Sequence, residues 1–195
     1  MGALNDIFAY LVQTTLNLYL FAMLLRFLLQ LVRADFYNPI CQFLVKITNP
    51  LVLPLRKIIP GLGGLDLASL LLAYLLQIAT IAALVYIRHG GFPPVGPLLI
   101  GSGLGLVGLL VNIYFFAILA MIIISWIAPG SRHPAVYLLY QITEPVMAPF
   151  RNMLPSMGGL DLSPILVFIL INVIRIALGH MAAAAGVLGL TPWLG

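Results

Sequence analysis

The chain has 195 residues, of which 63% are hydrophobic and only 7% charged, and its formal net charge is +4. Soluble domains carry charge at about a quarter of positions, so composition excludes a soluble enzyme or binding module, and the sparse basic excess gives no reason to expect nucleic acid. Cys41 is the single cysteine, which excludes an intramolecular disulfide.

Four apolar runs reach the roughly 20 residues that a bilayer-crossing helix requires. They are Ile7–Val32, Leu67–Ile87, Leu98–Ala128 and Ile165–Leu188. An all-α membrane protein with four transmembrane helices is therefore expected. Asp6 and the absence of Lys or Arg ahead of a long apolar stretch argue that the first run is a span and not a cleavable signal. Within it, Asn17 is a candidate for interhelical hydrogen bonding, worth around 1 kcal/mol in membranes. Arg26 lies roughly 9 Å from the end of its run at 1.5 Å per residue, and is expected to snorkel to the interface.

Between the first two runs, Pro39 stands where a helix would begin, a position at which its missing N–H is not needed. Ile40, Phe43, Leu44 and Ile47 follow as an i, i+3, i+4, i+7 stripe, with Gln42 and Lys46 off it. Such a helix suits the bilayer interface. Pro50, Pro54 and Pro60 then predict a broken, surface-lying or shallowly re-entrant hairpin, because an internal proline removes a backbone bond and kinks a continuing helix. Gly63-Gly64 permits a tight reversal into the second span.

The chain repeats itself at an offset of 95 residues. Thr48–Leu67 and Thr143–Leu162 share ten of twenty positions without a gap, among them Arg56/Arg151, Pro50/Pro145, Pro54/Pro149, Gly63/Gly158, Gly64/Gly159 and Asp66/Asp161. The same offset relates Asn17 to Asn112, Gln77 to Asn172 and Pro39 to Pro134, and a second stripe (Ala135, Leu138, Leu139, Ile142) copies the first. Fixed-offset similarity marks a duplicated structural unit. An even number of crossings separates the copies, so they are expected to be parallel and not inverted. Residues 1–88 form the first repeat, 89–97 a Gly/Pro-rich linker and 98–195 the second repeat.

Arg33, Lys46, Arg56 and Lys57 lie between the first two runs and Arg132 and Arg151 between the last two, whereas Arg88 alone lies between the second and third. The Lys/Arg excess marks cytoplasmic loops. Both hairpins are expected to be cytoplasmic, facing the anionic lipids of that leaflet, with both termini on the far side.

Arg56 and Asp66, like Arg151 and Asp161, are ten residues apart. Two readings remain open: an ion pair bracing each hairpin, or an arginine on lipid phosphate beside an aspartate capping the next helix. Arg175 sits deeper than Arg26, where a charge is costly and needs a partner or a function. Hydrogen bonding to carbonyls, Asn or water is expected there. Gly101-x-x-x-Gly105, with Gly108, makes a small-residue face for close helix packing. His89, His133 and His180 lie in unlike places, Ser125 has no histidine or carboxylate near it in sequence, Cys41 reads as an interfacial helix residue, and Glu144 is the only glutamate. No catalytic, cofactor or metal site is expected.

The string Ser125-Trp126, Thr143-Glu144-Pro145, Pro149, Arg151, Pro155 and Gly158-Gly159-Leu160-Asp161-Leu162-Ser163-Pro164 resembles the YggT family of small bacterial and plastid membrane proteins. The first repeat keeps the pattern but has Leu31 for the Trp, Asn49 for the Glu and Ala68-Ser69 for the Ser-Pro. The resemblance implies a two-repeat, non-enzymatic protein of the bacterial inner membrane. It further implies links to osmotic-stress tolerance and potassium balance, to division, and to assembly of a membrane complex. The expected role is an accessory or scaffold protein whose partners are anionic lipids, other membrane proteins or a second copy of itself. The alternative is a small channel or transporter for potassium or an osmolyte, for which Asn17, Gln77, Asn112, Asn172 and Arg175 supply the only polar groups of a route.

Overall fold

The computed structural model describes residues 2–59, 61, 64–153 and 161–190. Its helices in chain order are α1 (Ala3–Leu31), α2 (Pro39–Arg56), α3 (Leu67–His89), α4 (Val95–Ile127), α5 (Pro134–Met153) and α6 (Ser163–Ala184), followed by a short 3-10 turn, Leu188–Leu190. Helices α1, α3, α4 and α6 are each long and apolar enough to cross a membrane. At 33 residues α4 is about 50 Å long, well beyond the roughly 30 Å of a hydrocarbon core.

The ends of the helices depart from the sequence expectation in instructive ways. Helix α4 begins at Val95, inside the expected linker. Pro97 is thus in the first turn, where an N–H would have no intrahelical partner in any case. Helix α3 ends on Gly90 at φ 72°, whose N–H donates to the Tyr86 carbonyl at 2.8 Å, a left-handed cap that glycine adopts without a Cβ clash. Helix α6 stops at Ala184, four residues early, and the chain turns back so that Val187 and Leu190 lie against Gly101 of α4.

The proline expectation needs a larger correction. Helix α2 runs unbroken through Pro50 and Pro54, and α5 through Pro145 and Pro149. In each helix the two prolines are four residues apart and exposed, so the missing bonds fall on one outward face. A helix can bend away from such a face without breaking. Pro60 and Gly63, and residues 154–160 with Pro155, Gly158 and Gly159, lie outside the described residues.

Within each half the first and third helices pack together and the second lies across them: α1, α2 and α3, then α4, α5 and α6. The halves meet through α3 on α4, α1 on α4 and α5, and α2 on α5. One core joins Leu20, Leu24 and Phe27 of α1 to Ala73 of α3 and Leu109 and Ile113 of α4. Another collects Ile118 and Met121 of α4, Met147 of α5 and Val167 and Ile171 of α6. A third joins Leu29 of α1 and Cys41 and Leu44 of α2 to Leu138 and Ile142 of α5. Cys41 is therefore a core residue, and the face α2 turns inward is Cys41, Leu44, Thr48 and Val52, while Phe43 of the expected stripe is 61% exposed.

The two connecting helices are tied directly. Asn38, the N-cap of α2, accepts from the Ile40 N–H at 2.9 Å and donates through Nδ2 to the carbonyl of Pro134, the first residue of α5, at 2.9 Å. Both connections therefore lie at the same end of the bundle, as parallel repeats require.

Candidate functional site

Charge gathers where each connecting helix meets the next span. In the first repeat the centre is Asp66, 2% exposed. It caps α3 by accepting from the Ser69 N–H at 3.2 Å and from Ser69 Oγ at 2.5 Å. Arg56, ending α2, grips both its oxygens, Nε to Oδ1 at 3.2 Å and Nη2 to Oδ2 at 2.5 Å, and also reaches Gln30 Oε1 on α1 at 2.7 Å. The two readings left open by the ten-residue spacing thus coexist: one carboxylate both pairs with the arginine and caps the helix. Burial by itself raises the Asp66 carboxyl, but bonds from Arg56 and Ser69, with the Arg56 charge, outweigh it and hold the group below its ordinary value.

Arg26 joins this cluster and does not snorkel. It is 4% exposed, its Nε is 3.8 Å from Asp66 Oδ2, and its Nη1 donates to Thr48 Oγ1 at 2.6 Å and Asn49 Oδ1 at 2.9 Å. Thr48 passes the chain on by donating to the Leu44 carbonyl at 2.6 Å. The snorkelling expectation failed because α2 folds back over the end of α1 and supplies a polar partner closer than the interface.

The second repeat distributes its charges differently. Arg151 donates through Nη1 to Glu144 at 2.8 and 3.1 Å and through Nε to Asp161 Oδ2 at 3.2 Å. Asp161 accepts from the Ser163 N–H at 2.9 Å and from Ser163 Oγ at 2.5 Å. Burial pushes its carboxyl up and the Ser163 and Arg151 bonds pull it further down, below the ordinary value. Here all three charged groups are more than 40% exposed. At the place equivalent to Arg26 stands Met121, whose sulfur lies 3.2 Å from Thr143 Oγ1. So the first cluster has two guanidiniums around one carboxylate, and the second has one guanidinium between two. The signal for this was present in the sequence as two substitutions at the repeat offset, Arg26/Met121 and Asn49/Glu144. Only the second was recognised there, and its link to the first depends on the fold.

The polar groups of the spans divide into separate tasks. Arg175 donates through Nη2 to Asn112 Oδ1 at 2.5 Å and stacks 4.5 Å from the centre of the Phe115 ring. This is the asparagine partnership expected for it, although Asn172 is not the partner. Asn172 is exposed on the outer face of α6, whereas Gln77, its equivalent in the first repeat, is 1% exposed. Gln77 fills the space that Gly105 leaves on α4: a Cβ there would lie 2.7 Å from Gln77 Nε2. Among the described residues, Gln77 Oε1 has no hydrogen-bond partner. Asn17 lines two spaces. One is a broad apolar groove of about 580 Å³ between α1, α4 and α5, which Asn112 also lines. The other is a polar cavity of about 100 Å³ with Gln13, Gln77, Thr80, Arg88 and His89. A third space, of about 630 Å³, opens beside the first charge cluster and is lined by Arg26, Gln30, Arg33, Asn49 and Arg56. Among the described residues no group of three or more His, Cys, Asp or Glu could hold a metal ion.

The model of the family described as CCB3/YggT matches residues 5–87 and again 100–182. An uncharacterised protein of Pseudomonas aeruginosa is 47% identical over 190 residues, covering 95% of this chain and 95% of its own length. The uncharacterised protein YggT of Escherichia coli K12 is 40% identical over 181 residues, 91% of this chain and 92% of its own length. The chloroplastic YlmG homolog protein 2 of Arabidopsis thaliana is 37% identical over 68 residues, 35% of this chain and 26% of that protein. No solved structure matches. Two tandem matches to one family model, laid over a four-span helical fold with a charged corner in each half, make this chain a two-repeat member of the CCB3/YggT family.

Proposed function

We propose that the protein is a non-enzymatic accessory protein of the bacterial inner membrane that binds other membrane proteins through its paired connecting helices. The resemblance to its family suggests that this serves adaptation to osmotic stress, or the assembly and division of membrane complexes. The observation that carries the reading is the Asn38–Pro134 tie, which joins α2 and α5 into one shaped surface at a single end of the bundle. The span residues support it. Arg26 is engaged with Thr48 and Asn49, Arg175 with Asn112, and Asn172 faces outward, so they do not form a line from one end to the other. A stress-survival assay tests the reading. Asn38→Ala, which removes the tie between α2 and α5, should abolish function while the protein still inserts, and apolar replacement of Asn17 or Gln77 should be milder. The reverse ranking would reject it.

One observation favours a conduit for potassium or an osmolyte instead: the polar cavity at Asn17 and Gln77, with the unpartnered Gln77 Oε1 beside it. Ion or solute flux through liposomes of purified protein, lost on Gln77→Leu, would establish that reading over the scaffold.

A further inference from the structure

The groove beside the first charge cluster is built unlike anything among the described residues of the second repeat. Arg26, Arg33 and Arg56 line it together with the amides of Gln30 and Asn49. Among the described residues, Asp66 is the one carboxylate paired with any of these three arginines. It is already engaged by Arg56 and Ser69. A groove with three guanidiniums, two side-chain amides and one occupied carboxylate keeps an uncompensated positive charge. The second repeat cannot copy it, because Met121, Ala128 and Glu144 stand where Arg26, Arg33 and Asn49 stand in the first.

Arg33 adds an independent observation. Its φ is 53°, in the left-handed region, at the turn that ends α1, where Arg33 N–H donates to the Gln30 carbonyl at 3.1 Å and Ala34 N–H to the Leu29 carbonyl at 2.8 Å. Glycine is the residue that takes this position without strain. A side chain held there at a cost is the kind of outlier that points toward function. Arg33 also makes no ion pair among the described residues.

We propose that this groove is a binding site for a phosphate group, with Arg33 presenting its forked donors to the oxygens, Arg56 adding its remaining Nη1 and Arg26 supplying charge from beneath. Planar, multiply donating guanidiniums suit phosphate better than a point charge does. Arg33 is the second residue past the end of a bilayer-length helix, near where a phospholipid headgroup would lie, and a soluble phosphate compound offers the same chemistry from the aqueous side. Such a site would hold its anion whether the protein scaffolds or conducts.

The test is ligand-dependent thermal stabilisation of the purified full chain in neutral detergent. Phosphatidylglycerol, phosphatidylcholine and inorganic phosphate are titrated separately. Stabilisation by phosphatidylglycerol and not by inorganic phosphate identifies a lipid headgroup, and stabilisation by inorganic phosphate a soluble source. Arg33→Gly separates binding from folding, since it relieves the strained turn: it should melt no lower than wild type yet bind the active ligand about fivefold more weakly, the worth of one basic residue near an anionic surface. Asn49→Glu, which brings the Glu144 carboxylate to the first repeat, should weaken binding further. Arg151→Gln, at the other corner, should bind as wild type does. Stabilisation by none of the three, equal stabilisation by phosphatidylcholine, or unchanged affinity in Arg33→Gly would overturn the proposal.

Discussion

Removing the buried Asp66 carboxylate would leave the buried Arg26 and the half-buried Arg56 without their shared counter-charge and would uncap α3. Breaking one side of a buried pair typically costs about 3–5 kcal/mol. At Asp161 the arginine makes a single bond and both partners are exposed, and exposed pairs are worth about 0–1 kcal/mol. Unfolding in detergent should therefore show Asp66→Ala far less stable than Asp161→Ala; equal losses would contradict the burial difference. The acid limb tests the charge at Asp66 separately. Asp66 is held below its unfolded pKa, so its stabilisation is complete above the ordinary carboxylate value, about 3.9, and is lost as pH falls through the folded value. Wild-type melting should drop more steeply than that of Asp66→Asn as pH is lowered below about 4, and parallel curves would deny the role of the charge. Arg26 is a different case. Arg26→Met copies what the second repeat does beside Thr143 and leaves the Arg56–Asp66 grip intact. Because Asp66 keeps Arg56 as its partner, the loss should stay below that of a buried pair broken outright. A loss above about 3 kcal/mol would show that Arg26 holds the corner together.

At the scale of helices, the Gly101-x-x-x-Gly105 stripe splits into two contacts. A Cβ at Gly101 meets Val187 and Leu190 at an ordinary 3.5–3.6 Å, whereas one at Gly105 comes within 2.7 Å of Gln77 Nε2. Gly105→Ala should thus push the Gln77 amide aside, a modest loss taken up by that flexible side-chain end, and Gly101→Ala should displace nothing. Gln77→Ala should rescue Gly105→Ala in a double-mutant cycle, and additive losses would refute the contact. The small-residue pattern announced close packing but could not name the neighbour. That neighbour depends on the rotation of α3, which a run apolar on nearly every side does not encode. The proline positions misled for a related reason. Chemistry at a single residue predicts a lost bond, and the spacing of four confines both losses to one exposed face that the helix can tolerate. The i, i+3, i+4, i+7 stripes located α2 and α5 correctly, yet the inward face of α2 is rotated toward Cys41 and Thr48, because α5 and α1 cover that side.

For the whole molecule, the repeat offset of 95 residues and four bilayer-length runs made the architecture legible before any coordinates. The ten-residue spacing of Arg56 and Asp66, with its copy at Arg151 and Asp161, was legible too, but it left pairing and capping as two open readings. What the sequence concealed was inequality between the halves. Arg26 and Asp66 are forty residues apart, and only folding α2 over α1 makes the Arg26/Met121 exchange answer the Asn49/Glu144 exchange. The shared surface requires α2 and α5, tied through Asn38 and Pro134, to lie on one side of the membrane. Single cysteines at Tyr37, His133 and Gly91, in a Cys41→Ser background, test this most directly with a membrane-impermeant thiol reagent on intact cells. Tyr37→Cys and His133→Cys should both stay unlabelled until the membrane is opened, while Gly91→Cys should label at once. Labelling of one of the first two but not the other would contradict the parallel arrangement on which the shared surface depends.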